Sequence, residues 1–201
     1  MTCFVGPETS EFRGGIVEVV IKQFQESDFH GMSSLYMNFY NELRESQGWE
    51  ASKLDKKAAD QVARESLEGK SQIFFAEHHR ELVGFARVQF WEGAYFVREV
   101  FVKKQFRRKG VGSRLLACCE DFVLKNGETS LYLTVEPKHS VSIEYLIHNG
   151  FDTLNMLELR KDLATDNFPE RQGTVDILGH KFRLLKRKKP IPRNAKEKER
   201  K

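Results

Sequence analysis

The sequence predicts an α+β domain: a mixed, mostly antiparallel central sheet with helices on both faces. Three segments between residues 71 and 104 alternate apolar and polar positions and are joined by short polar turns, so they form an antiparallel meander. A helix-period segment, 111–125, then leads to another strand-like run at 129–137, and a single crossover helix between two strands makes them parallel. At 201 residues the chain suits one domain that buries its own core without a disulfide framework.

Each element has its own signal. Residues 1–15 hold Gly6, Pro7, Gly14 and Gly15 among polar residues and read as a loose lead-in. IVEVVIKQF (16–24) is β-branched and alternating, hence a strand. Ser27 and Asp28 are N-cap candidates for a helix that carries Met32, Leu35, Tyr36, Phe39, Tyr40 and Leu43 at helical spacing. SQGWEASK is a loop. Residues 55–69 are helical again, with Ala59, Val62, Ala63 and Leu67 on one side and Gly69 closing the helix. SQIFFAEH and ELVGFARVQFWEG are strands about the turn HHRE, and AYFVREVFVKK (94–104) completes the meander. NGE breaks the 111–125 helix, and TSLYLTVEP is a strand ended by Pro137. SVSIEYLIHNGF is a short helix with Ser140 as its N-cap and Gly150 as its stop. FDTLNMLELRKDL (151–163) reads as a further strand, and TVDILGHKFRLL (174–185) as a last one. The layout is a lead-in at 1–15, a domain at 16–163, an extension at 164–185 with an extra strand, and a basic tail at 186–201.

Charge is unevenly spread. The tail carries nine basic and two acidic residues, leaving 24 basic and 27 acidic in the rest. A weakly acidic body with a basic end differs from a uniformly basic nucleic-acid binder. No apolar run reaches the ~20 residues of a membrane span, and the first residues lack a secretory pattern. Cys3, Cys118 and Cys119 have neither disulfide nor zinc spacing, so the expectation is a cytoplasmic chain without a metal.

Residues 103–116, KKQFRRKGVGSRLL, carry the functional signal. A helix N-terminus presents unpaired N–H groups and the positive end of the dipole, glycine lets an anion approach the backbone, and Arg and Lys add charge-assisted bonds. A diphosphate is the natural guest. The pattern is neither a P-loop nor a dinucleotide fingerprint, because Leu115 stands where a third glycine is required. What remains is R-x-x-G-x-G on Arg107, Gly110 and Gly112. By itself this is also the pattern of a solvated basic turn; the strand before it, the helix after it and the parallel strand beyond favour the cradle.

VREVFVKKQFRRKGVGSRLL, GFARV (84–88) and the closing SIEYLIHNGF resemble the GNAT (Gcn5-related) N-acetyltransferases over roughly residues 16–160. The resemblance implies a GNAT-like fold and acetyl-coenzyme A as co-substrate. Its pyrophosphate would be held by Arg107, Arg108, Lys109, Gly110, Val111, Gly112 and Ser113. Its pantetheine arm would pair with the backbone of Val100, Phe101 and Val102, where an N–H polarises the thioester carbonyl. An acceptor amine then attacks directly, after losing a proton to a carboxylate. Glu99 is the first candidate for that base and Glu136 the second; each also reads as an ordinary ion-pair partner. Family members often carry Asn and Tyr in the closing helix. Counting back from Gly150, His139 takes the Asn position, and the Tyr position is Leu146, with Tyr145 one residue early. One residue is about 100° of helix rotation, so Tyr145 is either the acid for the departing thiolate or a packing residue, and His139 a coenzyme contact in place of Asn.

The implied activity is acetyl transfer to a primary amine of a small molecule or protein. The alternatives are a non-catalytic acyl-coenzyme-A-binding module and a nucleic-acid- or ribosome-associated protein using its tail. A homodimer is compatible with the resemblance, and no membrane partner is expected. Trp49, Trp91, Tyr36, Phe39 and Tyr40 are acceptor-pocket candidates, of which Tyr36, Phe39 and Tyr40 read first as core. His78 and His79 read as exposed turn residues, and Cys118 and Cys119 as packing residues.

Overall fold

The computed structural model describes residues 18–46, 53–137, 139–159 and 171–185. The predicted lead-in, the loop around Trp49 and the basic tail lie outside the described residues. Five strands form one sheet in the order β1 (Val20–Gln23), β2 (Ser71–His78), β3 (Glu81–Trp91), β4 (Ala94–Val102) and β5 (Leu131–Leu133). The first four pair antiparallel, and β5 joins β4 in parallel. Helix α1 (Phe29–Ser46) and α2 (Lys56–Glu65) connect β1 to β2, α3 (Val111–Lys125) crosses from β4 to β5, and α4 (Ser140–His148) follows.

Strand alternation sorts the core into two layers. On one face Phe75, Phe85 and Phe101 pack with Met32, Leu35 and Tyr36 of α1 and Ala63 of α2. On the other, Phe74, Ala86, Val88 and Val97 pack against Val111, Leu115, Leu116 and Cys119 of α3, and Tyr145 of α4 joins them. The predicted mixed sheet with helices on both faces is therefore the observed one.

Local chemistry starts and stops the elements. Asp55 caps α2, its carboxylate accepting from the Ala58 amide at 2.8 Å. Ser27 and Asp28 lie in a 3-10 turn, Glu26–Asp28, directly before α1, where the Asp28 carboxylate accepts from the Gln25 amide. The N-cap of α4 is His139, and Ser140 is its first helical residue. The turn between β2 and β3 places His79 and Arg80 at positive φ.

The C-terminal part corrects the sequence reading twice. Residues 151–159, expected to be strand, pair with nothing in the sheet, and Leu154, Met156 and Leu159 are exposed. Alternation fits a strand, but a strand also needs a partner, and none of the described strands pairs with this run. The expected single strand at 174–185 is instead a hairpin, β6 (Arg171–Ile177) and β7 (His180–Leu185), turning at Leu178 and Gly179, both at positive φ. Its Val175 sits opposite Phe182.

Candidate active site

The chain leaves β4 through a 3-10 turn, Lys104–Phe106, and enters α3 at Gly110. Two residues of this loop are left-handed: Arg108 at φ 61° and Gly110 at φ 74°. Gly110 is the N-cap of α3 and has no side chain to satisfy the first turn. The first intrahelical bond runs from the Arg114 amide to the Gly110 carbonyl, so the amides of Val111, Gly112 and Ser113 have no helical acceptor. A Cβ added at Gly110 would meet no atom within 4 Å, which leaves the helix end open to a ligand. Arg107, Arg108 and Lys109 are exposed around it. Uncapped donors, a positive helix end and three cations fit a diphosphate.

The sequence does not show where Arg107 points. Its Nε donates to the Val102 carbonyl at 2.7 Å and its Nη2 reaches Glu42 of α1 at 2.6 Å, with the guanidinium over the Phe101 ring. It ties the cradle to the end of β4 and to α1.

Strand β4 pairs with β5 only from Tyr95 to Val97. Beyond that point the side of β4 facing β5 is open. The Lys103 amide bonds to the Val83 carbonyl on β3, and bonding alternates along an antiparallel pair. The backbone groups of Val100 and Val102 therefore face the open edge, and those of Phe101 turn to β3. Of the three expected backbone contacts, Val100 and the N–H of Val102 face the open edge, the Val102 carbonyl being taken by Arg107; Phe101 contributes its ring to the α1 layer.

A bulge decides where Glu99 goes. Arg87 pairs with Glu99 but Val88 pairs with Val97, so Arg98 is an extra residue. Val97 and Val100 thereby keep the α3 side, and Glu99 shares the α1 side with Phe101. There Arg87 grips both carboxylate oxygens, its Nη2 at 2.8 Å from one of them, and the two side chains are only 10% and 11% exposed. Tyr36 and Tyr40 lie nearby. Burial first, and then the charge of Glu99, push both phenols above the usual tyrosine range. The Tyr36 hydroxyl is buried and completes no hydrogen bond of normal length among the described residues. The Arg87 partnership had no sequence signal beyond an arginine in an apolar strand.

Glu136 and His139 follow β5, on the side where β4 and β5 part. His139 Nε2 lies 3.6 Å from a Glu136 oxygen, and both side chains are partly exposed. Tyr145 reaches instead to the first turn of α3, beside Gly112. Trp91, a pocket candidate, is half exposed at the end of β3. A cavity of 350 Å³ lies at the far end of α3, lined by Val123, Leu131 and Phe151 among others, away from the cradle. His78 bonds the Glu18 carbonyl, and Cys118 and Cys119 are fully buried, in keeping with packing roles.

A single sheet between two helix layers, with a parted β4–β5 pair and a basic turn at the head of the crossover helix, defines a class. Residues 31–151 match the model of the acetyltransferase (GNAT) family, and the chain belongs to that family. It is similar to an uncharacterised N-acetyltransferase, YhfO, of Bacillus subtilis (strain 168), with 28% identity over 142 residues, covering 66% of this chain and 89% of that one. The fold is similar to that of the aminoglycoside N-acetyltransferase AAC(6')-Iy in complex with CoA, at TM-score 0.57 and 17% identity, covering 73% of this chain and 96% of that one. It is also similar to the PaiA N-acetyltransferase of Thermoplasma acidophilum in complex with coenzyme A, at TM-score 0.53 and 16% identity, covering 66% and 89%.

Proposed function

We propose that this chain transfers an acetyl group from acetyl-coenzyme A directly to a primary amine. The observation that carries the reading is the head of α3: an uncapped helix end behind a left-handed glycine, open to solvent and ringed by Arg107, Arg108 and Lys109. In this reading the amides of Val111, Gly112 and Ser113 hold the diphosphate, and His139 lies where it can contact the coenzyme. The backbone of Val100 and Val102 takes the pantetheine arm along the open edge of β4. When bound, the co-substrate supplies an activated thioester carbonyl, and an N–H at this edge stabilises the oxyanion.

The acceptor must lose a proton before it attacks. Glu99, the first candidate from sequence, has both carboxylate oxygens hydrogen-bonded to Arg87 and is nearly buried. Its part in this reading is to fix the floor beneath α1 with Arg87. Glu136, beside the opening, takes the proton. An amine acceptor is in keeping with the similarity in fold to an aminoglycoside N-acetyltransferase; a cationic amine also suits the weakly acidic body.

The test is calorimetry with coenzyme A on the wild type and Gly110→Val, followed by a screen of amines for released thiol. Valine at a left-handed position also fills the open space, so affinity should fall at least about a hundredfold, roughly 2.7 kcal/mol. Equal binding by both proteins would remove the cradle assignment. Coenzyme binding without thiol release on any amine would favour the non-catalytic acyl-coenzyme-A module, which the clamped Glu99 also suits.

A further inference from the structure

The two glycines of the cradle differ in what surrounds them. A Cβ at Gly110 would enter open space, whereas a Cβ at Gly112 would lie 2.6 Å from the Tyr145 hydroxyl and 3.3 Å from its Cζ. Real Cβ atoms do not approach other heavy atoms at 2.6 Å. Gly112 is not left-handed, so its backbone conformation does not require glycine. The requirement comes from a neighbour, and that neighbour belongs to another element, α4.

Tyr145 is well anchored there. Its ring packs against the α3-side core. Its hydroxyl is shielded from solvent beside Ser113 and completes no hydrogen bond of normal length among the described residues. Burial pushes its phenol up to about 12, so it gives up its proton less readily than a free tyrosine. The hydroxyl meets the backbone of α3 rather than the open edge of β4, where a departing thiolate would be released.

We infer that Tyr145 is a positioning residue: by seating on the bare Cα of Gly112 it sets α4 against the first turn of α3 and so orients the amides that hold the coenzyme. Its displacement by one position from the family pattern is then the feature that turns it toward α3. The inference rests on the coenzyme reading for its functional consequence, but the contact itself does not.

A double-mutant cycle tests it, with Gly112→Ala, Tyr145→Phe and the pair together. Melting temperature and coenzyme A affinity by calorimetry are the two measurements. Gly112→Ala should melt several degrees lower and bind coenzyme A about tenfold more weakly or worse. Adding Tyr145→Phe removes the atom at 2.6 Å and leaves a ring carbon at 3.3 Å, a contact that a shift of a few tenths of an ångström relieves. The double variant should therefore recover most of both losses. Should Gly112→Ala not accumulate, recovery of folded protein by the double variant is read in place of the melting shift. Recovered melting with binding still lost would mean that the coenzyme itself needs Gly112, and the inference would be overturned. Recovery of neither quantity would overturn it too. Failure of the wild type to bind coenzyme A would instead remove the coenzyme reading, while the melting cycle would still decide the contact.

Discussion

In the proposed mechanism Glu99 holds Arg87 and Glu136 serves as the base. The Arg87–Glu99 pair is nearly buried, so removing one charge leaves the other stranded in a low-dielectric layer. Glu99→Gln should cost about 3 kcal/mol, at the low end for a broken buried pair because glutamine keeps some hydrogen bonding. It would appear as a lower midpoint in denaturant. Glu136→Gln, at a partly exposed position, should leave that midpoint in place and reduce turnover about a hundredfold once an acceptor is found. The reverse pattern would return the base to Glu99. Both residues were legible as candidates, because carboxylates near a coenzyme edge are few. Their ranking was not, because it depends on Arg87, whose partner lies 12 residues away across a strand pair.

At the scale of elements, the approach of β3 to β4 governs the site. A Cβ at Gly84 would lie 2.8 Å from the Phe101 carbonyl oxygen, a backbone atom that cannot swing aside. Gly84→Ala should therefore push the strands apart, costing about 1–3 kcal/mol. Since β4 also presents Val100 and Val102 at its other edge, coenzyme A affinity should fall with stability. An unchanged affinity in folded Gly84→Ala would separate the two edges and weaken that assignment. Most helices and strands were readable because their periods differ and their breakers are local. The run at 151–159 was not: its pattern fits a strand, and only the fold decides whether it pairs with another strand. The cap of α2 by Asp55 and the bulge at Arg98 likewise depend on local backbone geometry that residue type alone does not specify.

For the whole molecule, the cradle and both core layers lie within residues 18–159, and no helix among the described residues is long and apolar enough to cross a membrane. Removing the basic tail from residue 186 should therefore leave coenzyme A affinity within about twofold. A nucleic-acid affinity that falls steeply with salt and vanishes with the tail would support the other reading of that segment. The sequence by itself determined the α+β class and the order of the main elements, and it marked the turn proposed to hold a diphosphate. Each of these is written in short-range spacing: period two against period 3.6, and a basic turn with glycine at a helix start. Only the tertiary structure decided that Glu99 faces α1 on Arg87, that Arg107 bridges β4 to α1, and that Tyr145 rests on Gly112. Those contacts join elements distant in sequence, and they follow from strand register, one bulge and the docking of α4, which no local pattern encodes.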